Sequence, residues 1–300
     1  MGIITFLKRL FTKKPIKKPF CVVDGTNISW VESDSPKLDT LLRIKDELLQ
    51  RGYDPIIVVS SALFYKIDNR EKLDILVTTS PYFTQAPAKE YDDRYVLIIA
   101  QIFDAIVLSN DLYRDLLDEF PGYSARRASL DIENGNFNFN FPKNISGRIQ
   151  PKSNIGYKSK FDSNIVVVDG NNVLWSDKDE LGHPMASNIL KMYNKLKEQK
   201  FDPKIYIYYG FINKVSDRAL FQELIDKKIV QKVPMGEKID NFVLQEAEKH
   251  KALILSNDLY RNLRDQYPWY ENRRLSFSFV RGVPIVDYQA GETHKPDESN

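Results

Sequence analysis

The sequence predicts an α/β protein made of two tandem domains, each a mostly parallel sheet flanked by helices. Short apolar runs that indicate buried strands alternate along the chain with longer segments of helical periodicity, as in parallel sheets covered on both faces. The chain also repeats itself. The segment VVDGTN at 22–27 returns as VVDGNN at 167–172, and SNDLYR at 109–114 returns unchanged at 256–261.

The spacing of these repeats indicates duplication of a whole domain. Asp169 follows Asp24 by 145 residues, and Asp258 follows Asp111 by 147 residues. The two repeated elements therefore keep their separation to within two residues, and a chain of 300 residues is long enough for two domains of about 100–150 residues. The predicted organisation is a basic amphipathic leader (1–18), domain one (19–142), a linker (143–162), domain two (163–290) and a disordered tail (291–300).

The elements of copy one follow from its apolar pattern. Uninterrupted apolar runs predict strands at residues 20–23, 56–59 and 105–108. Helical spacing of apolar residues predicts helices at residues 38–49, 68–77, 93–103 and 111–120. Near the end of this copy Phe137, Phe139 and Phe141 alternate with asparagine, which predicts an edge strand.

Copy two repeats the same order of elements. The predicted strands are residues 165–168, 205–209 and 252–255, and the predicted helices are residues 186–199, 217–227, 240–250 and 258–267. Two further apolar segments, 275–280 and 283–286, close the copy. The alternation of strands and helices is again that of a parallel sheet.

The composition sets broad limits on function. The chain is 42% hydrophobic and 28% charged with a net charge of +2, so any surface for nucleic acid would have to be local. Cys21 is the only cysteine, which excludes a disulfide framework and a zinc site built on cysteines. We expect a reducing compartment, the cytoplasm, with the nucleus left open.

The N-terminal segment stands out from the rest of the chain. Its apolar residues are followed by Lys13, Lys14, Lys17 and Lys18, but no run approaches the roughly 20 apolar residues that span a bilayer. One interpretation is a basic amphipathic segment that contacts membrane or RNA. The other, which we favour, is a frayed leader or a short helix packed on a domain.

Carboxylates follow the predicted strands of copy one. Asp24 comes directly after the first strand and Asp111 shortly after the third; Asp92 and Asp93 open the helix that leads into the third strand. Asp115 lies one helical turn beyond Asp111. Ligands of open parallel sheets bind at the carboxyl ends of the strands, and crowded carboxylates attract a divalent cation. All-oxygen ligands favour Mg²⁺ or Mn²⁺, which activates water and stabilises charge on a phosphoryl group.

Each of these elements also has a purely structural interpretation. Asp-Gly after a strand is a common turn, and Ser-Asn-Asp before a helix is ordinary N-capping. The pair Asp92-Asp93 suits the first turn of a helix through the helix dipole. The recurrence of two of the elements at a fixed separation favours a joint site.

Three segments of copy one resemble the motifs of Regnase/MCPIP-type ribonucleases of the PIN-like NYN superfamily. They are DGTN at 24–27, YDDRY at 91–95 and VLSNDLYRDL at 107–116, and the resemblance extends over both copies, roughly 20–142 and 163–288. It implies two PIN-like domains and a Mg²⁺-dependent endoribonuclease acting on single-stranded or loop RNA. The catalytic and metal-binding residues that it implies are Asp24, Asp92, Asp93 and Asp111, and Asp115 is a further metal-ligand candidate.

The chain departs from the family pattern in two respects. A single cysteine cannot form the CCCH zinc finger of the family's vertebrate members, so we expect no RNA targeting by that route. In copy two, Ile239 and Asn262 stand where copy one has Asp92 and Asp115. The acidic positions that copy two keeps are Asp169, Asp240 and Asp258, and Glu237 is the one nearby acid that could compensate for a missing carboxylate. We therefore predict that copy one is catalytic and that copy two is partly degenerate.

Contacts with RNA are less well defined by the sequence. The candidates are Asn27, Arg94, Asn110, Arg114, Arg126 and Arg127. Phosphate binding and an ordinary surface ion pair are equally weighted interpretations for the arginines. We expect copy two to dock on copy one as an intramolecular pair. A catalytically silent RNA-binding or scaffold protein is the main rival function, and a DNA-directed nuclease is a third.

Overall fold

The computed structural model describes residues 18–87, 92–143, 163–208, 210 and 213–288. The predicted leader (except residue 18), most of the predicted linker and the predicted tail lie outside these residues. Contacts within the chain define two compact units: the first is Met1–Thr84 with Ile99–Gln150, and the second is Gln85–Ile98 with Pro151–Asn300. Among the described residues, no helix has the length and apolar character needed to cross a membrane.

Copy one is built on a six-stranded sheet with the order β3-β2-β1-β4-β5-β6. Its strands are β1 (Phe20–Asp24), β2 (Asp54–Val59), β3 (Phe83–Gln85), β4 (Ile106–Leu108), β5 (Arg127–Glu133) and β6 (Asn136–Asn140). Strand β1 pairs in parallel with β2 and β4, and β4 pairs in parallel with β5. Strand β6 is antiparallel to β5 at the edge, which confirms the predicted edge strand.

Helices of copy one follow the predicted periodicity. They are α1 (Gly25–Ile28), α2 (Leu38–Gln50), α3 (Arg70–Thr79) and α4 (Asp92–Phe103). In α2 the residues Leu41, Ile44 and Leu48 recur at helical spacing and are fully buried in the core. This buried stripe explains why the segment is helical and fixes which face of α2 turns inward.

Copy two has a five-stranded sheet with the order β11-β10-β7-β8-β9 and an antiparallel hairpin β12-β13. Its strands are β7 (Ile165–Asp169), β8 (Asp202–Ile207), β9 (Val230–Lys232), β10 (Leu253–Leu255), β11 (Arg274–Leu275), β12 (Phe277–Val280) and β13 (Val283–Val286). Its helices are α5 (Gly170–Trp175), α6 (Ala186–Glu198), α7 (Arg218–Asp226) and α8 (Ile239–Lys249). All strand pairings in the five-stranded sheet are parallel.

The prediction of two α/β copies with mostly parallel sheets flanked by helices is confirmed. The predicted helices at 111–120 and 258–267 are wrong. Only the single 3₁₀ turns Arg114–Leu116 and Arg261–Leu263 form in those regions. Tyr113 (φ 42°) and Tyr260 (φ 37°) adopt the left-handed conformation, which cannot belong to a right-handed α-helix.

The glycine after the first strand of each copy lies against the neighbouring strand. A Cβ on Gly25 would lie 2.8 Å from the carbonyl oxygen of Val58, and one on Gly170 would lie 2.5 Å from that of Tyr206. Such contacts are too short for real carbon atoms. The Asp-Gly element is thus required by close packing of the turn on strand β2 or β8, whatever chemistry its aspartate performs.

We expect Gly25→Ala to lower the unfolding free energy by about 2–3 kcal/mol, because the added methyl group must push a central strand aside. Gly52→Ala is the control. Gly52 has a φ of 86° and open space where a Cβ would lie. Its replacement by alanine should therefore lower the unfolding free energy by only about 1 kcal/mol, through backbone strain. Urea unfolding of both variants measures the difference, and an equal loss would contradict the steric explanation.

Candidate active site

Asp24 is a buried carboxylate at the carboxyl end of strand β1. It is 2% exposed, and both of its oxygens accept hydrogen bonds. Oδ1 accepts from the Asn27 backbone N–H at 3.0 Å, while Oδ2 accepts from the Ser109 hydroxyl at 2.9 Å and the Tyr113 hydroxyl at 2.5 Å. These donors replace the water that the carboxylate loses on burial, so its position is fixed from two directions.

The segment after strand β4 is tied to the same place. The backbone N–H of Asn110 donates to Asn27 Oδ1 at 3.0 Å. The Asn110 side chain also pairs with the backbone N–H and C=O of Leu130, both at 2.9 Å. Asn110 therefore extends the pairing of β4 with β5, and Asn27 and Asn110 both serve this framework.

Asp111 is held at its backbone but presents its carboxylate to solvent. Its N–H donates to Ser109 Oγ at 3.1 Å, and its C=O accepts from the Tyr123 hydroxyl at 3.0 Å. Its Oδ1 accepts from the Tyr113 N–H at 2.7 Å. Asp111 is exposed as a residue, and of its two carboxylate oxygens Oδ1 is the one that accepts this backbone hydrogen bond. Ser109 thus links Asp24 to Asp111, and the two predicted carboxylates meet at the same edge of the sheet.

Copy two builds the same framework around Asp169, which is 1% exposed. Its Oδ2 accepts from the Asn172 side-chain amide at 2.9 Å, the Tyr260 hydroxyl at 3.1 Å and the Ser256 hydroxyl at 3.5 Å. Ser256 Oγ accepts from the N–H of Asp258 at 3.1 Å. A serine and a tyrosine thus donate hydrogen bonds to the buried aspartate in both copies.

Asn257 in copy two has the role that Asn110 has in copy one. Its N–H donates to Asn172 Oδ1 at 3.1 Å. Its side-chain amide donates to the Phe277 C=O at 2.7 Å and accepts from the Phe277 N–H at 3.0 Å. The repeat seen in the sequence is therefore a repeat of a hydrogen-bond network.

The acidic residues of copy two act on one another electrostatically. Burial, joined by the negative charge of Asp240, raises the pKa of Asp169 to about 6, against opposing hydrogen bonds from Asn172 and Tyr260. Burial and the charge of Asp258 raise the pKa of Asp240. The structure therefore brings together the three carboxylates that the alignment of the copies selects.

A cavity of about 420 Å³ opens beside two of these carboxylates. Asp240 and Asp258 line it together with Asn257, Arg261 and Asn262. Asn262 stands where copy one has Asp115. The cavity is thus bordered by two acids, one arginine and amide side chains.

The donor set fits a hard divalent cation only in part. Within the described residues, no group of three or more His, Cys, Asp or Glu side chains could by itself hold a metal ion. Mg²⁺ in proteins usually takes one or two carboxylates and completes its shell with water and substrate phosphates. The mutual repulsion of Asp169, Asp240 and Asp258 and their all-oxygen chemistry fit such an ion.

The remaining predicted acids of copy one occupy two different environments. Asp92 and Asp93 begin α4 within the second compact unit, and both are half-buried. Asp115 is exposed in the 3₁₀ turn that follows Asp111. Their roles as metal ligands stay predictions.

Two of the predicted RNA-contacting arginines are buried in ion pairs. The side chain of Arg94 is 8% exposed and pairs with Asp287. The side chain of Arg126 is 6% exposed, pairs with Asp104 at 2.8 Å and donates to the Asp104 backbone carbonyl at 2.8 Å. Both environments favour the structural interpretation of these residues over phosphate contact.

The other two predicted arginines are more accessible. Arg127 is half-buried and donates to the Ser109 carbonyl at 3.2 Å. Arg114 is exposed near Asp111. Of the four, Arg114 has the position that best suits a phosphate contact, which stays a prediction for all of them.

The sequence interpretation missed the hydroxyl groups that hold the buried aspartates. Tyr113 is 1% exposed and its hydroxyl reaches Asp24. Ser109 was considered only as part of an N-cap. The signal was present in the repeat, since Ser256 and Tyr260 occupy the same positions in copy two.

The fold and the site together define a class of protein. Each copy is a PIN-like α/β domain with carboxylates at the carboxyl ends of adjacent central strands. The family model of the Zc3h12a-like ribonuclease NYN domain matches the chain twice, at residues 17–153 and 162–296. The chain belongs to this family and contains its domain as a tandem duplication.

Solved structures show a more distant likeness. Two structures of nuclear protein-only RNase P 2 from Arabidopsis thaliana are 22% and 19% identical to this chain, each with a TM-score of 0.36. Each comparison covers 43% of this chain and 30% of that chain, so this chain matches under a third of the length of that protein. A comparison with curated proteins finds no significant match.

Asp169 should make the stability of the second unit depend on pH. Its pKa of about 6 in the folded protein exceeds its ordinary value of 3.8, so the folded state prefers the protonated carboxyl. This contribution is fully present below about pH 4 and is lost as the pH rises through 6, at most about 3 kcal/mol in all.

Urea unfolding of the wild type and Asp169→Asn between pH 4 and 7, with EDTA present, measures this contribution. Relative to the variant, the wild type should lose stability as the pH rises. Parallel pH profiles for the two proteins would contradict the effect of burial on this carboxyl.

Proposed function

We propose that the chain is a Mg²⁺- or Mn²⁺-dependent endoribonuclease that hydrolyses phosphodiester bonds of single-stranded or loop RNA, mainly through copy one. One observation supports this most. A rigidly held buried aspartate and an exposed aspartate lie at adjacent strand ends, joined by a serine. The substrate class follows from membership of a ribonuclease domain family.

The two aspartates of copy one are suited to different tasks. Asp24 cannot move, because donors from three segments hold its carboxylate. Asp111 has its backbone and one carboxylate oxygen held by hydrogen bonds, while the residue is exposed. Such preorganisation is what a site needs to align a scissile bond without reorganising during the reaction.

The proposed chemistry divides between the cation and the protein. When bound, Mg²⁺ or Mn²⁺ would activate a water and stabilise charge on the phosphoryl group. The proposed ligands are Asp24, Asp92, Asp93 and Asp111, with Asp115 as a further candidate. A carboxylate of the site would assist deprotonation of the attacking water, and Asp111 is a candidate because the residue is exposed. Arg114 is the proposed phosphate contact.

Copy two is proposed to bind rather than to cleave. It keeps three acids, but Ile239 has no ligand atom and Asn262 carries no charge where copy one has Asp92 and Asp115. Its cavity still offers Arg261 beside two carboxylates. The same features would suit the rival function, a catalytically silent RNA-binding or scaffold protein, if copy one also failed to cleave.

The matched variants Asp111→Asn and Asp258→Asn test the proposal. Both aspartates accept an equivalent backbone hydrogen bond, at 2.7 Å from Tyr113 and 2.8 Å from Tyr260, which asparagine can keep through its carbonyl oxygen. On a single-stranded RNA with Mn²⁺, Asp111→Asn should lower cleavage by about 100-fold or more. Asp258→Asn should stay within about threefold of the wild type.

Three outcomes would change the assignment. Equal and complete losses in the two variants would contradict the asymmetry of the copies. If the wild type shows no RNA cleavage that requires Mn²⁺ and is abolished by EDTA, the proposal of an enzyme is contradicted and the scaffold function is favoured. Equal cleavage of a single-stranded DNA of the same sequence would contradict the assignment to RNA.

A further inference from the structure

The first turns of α4 are anchored within the second compact unit. This unit combines residues 85–98 with the whole of copy two. In it Arg94 forms an ion pair with Asp287, and the two side chains are only 8% and 7% exposed. The adjacent Tyr95 is fully buried and its hydroxyl hydrogen-bonds to that of Ser278 in strand β12. The residues directly after Asp93 are therefore held by the β12-β13 hairpin and the residue that follows it.

The Arg94–Asp287 ion pair is buried, and its burial determines how the first turn of α4 is held. Removing one partner of a buried ion pair is strongly unfavourable, because the charge of the other partner stays buried. Asp92, Asp93 and Arg94 are the first three residues of α4. Because consecutive helical residues share one turn, fixing Arg94 and Tyr95 fixes where the two preceding carboxylates project.

The ion pair is not part of the duplicated framework. Asn241 occupies in copy two the position of Arg94, and Asn140 occupies in copy one the position of Asp287. Asn140 instead donates to Asp131 Oδ2 at 2.9 Å within its own hairpin. The Arg94–Asp287 pair thus connects the start of α4 with the end of the β12-β13 hairpin, and α4 begins with Asp92 and Asp93.

We propose that Asp287 is a positioning residue for the reaction of copy one. Through Arg94 it sets the first turn of α4 and with it the carboxylates of Asp92 and Asp93. Copy two then contributes to RNA cleavage by copy one without cleaving RNA itself. This inference rests on the proposed function, in which Asp92 and Asp93 hold the cation.

Three variants of the full chain separate positioning from stability. Asp287→Asn should lower kcat for RNA cleavage by about 10- to 100-fold. It should raise the Mn²⁺ concentration for half-maximal activity several-fold and leave the KM for RNA within about twofold. Asp287→Glu should recover part of kcat because it keeps the charge. The double variant Arg94→Met/Asp287→Asn should recover Tm, since no charge is left unpaired, but not kcat.

Asp104→Asn is the matched control. It removes the carboxylate that pairs with another buried arginine, Arg126, beyond the opposite end of α4, although the Asp104 side chain is 53% exposed. It should lower Tm by less than Asp287→Asn does, because the Asp104 carboxylate is half exposed, and it should leave the Mn²⁺ dependence unchanged. Recovery of kcat together with Tm in the double variant, or an equal kcat loss in the control, would overturn the positioning role.

Hydrogen exchange distinguishes failure of this inference from failure of the proposed function. The amides of residues 92–98 should exchange faster in Asp287→Asn, while those of β4 should not change. If the wild type cleaves RNA and Asp287→Asn matches it in kcat and Mn²⁺ dependence, the inference is overturned and the function stands. If the wild type shows no metal-dependent cleavage, the function fails, and unchanged exchange at 92–98 then overturns the anchor as well.

Discussion

A buried aspartate at the end of the first central strand is the constraint on which each copy depends. Asp24 and Asp169 are 2% and 1% exposed, and a carboxylate removed from water is costly unless donors surround it. In copy one the donors come from the turn after β1, the end of β4 and the 3₁₀ segment beyond it. The hydrogen bonds to the Asp24 carboxylate therefore connect three parts of the chain. Ser109, which donates one of them, also accepts from the backbone of the exposed Asp111 and so positions it.

This constraint explains where local sequence patterns failed to predict structure. Strands β1, β2 and β4 and helices α2 to α4 could be predicted, because apolar runs and helical spacing are local properties. The helix expected at 111–120 does not form, because Tyr113 turns left-handed (φ 42°) and its hydroxyl reaches Asp24, a residue 89 positions earlier. Strand β5 was missed because its buried residues Ala128 and Leu130 alternate with more exposed ones and give no continuous apolar run.

The sequence pattern selects the acidic candidates of the site more directly than its arginines. Repetition selected Asp24, Asp93 and Asp111, since each has a counterpart in the other copy at nearly the same spacing, whereas Asp92 and Asp115 have none. Repetition also marked Ser109 and Tyr113, but nothing in the residue types showed that their hydroxyls bind a carboxylate. Arg94 and Arg126 were predicted as RNA contacts because a sequence shows charge and not burial. The partner of Arg94, Asp287, lies 193 positions away.

The acidic positions at which the two copies differ are ones where a substitution changes the stability of the fold little. The residues that hold the buried aspartate are identical, with Ser109 matching Ser256 and Tyr113 matching Tyr260. The acids that copy two has lost correspond to Asp92, which is half-buried, and Asp115, which is exposed, and substitutions at such positions usually change stability little. A copy can therefore differ at these two positions and still fold around its framework. The framework alone then indicates the fold, and under the proposed function the pair of acids that begins α4 is the feature that distinguishes copy one from copy two.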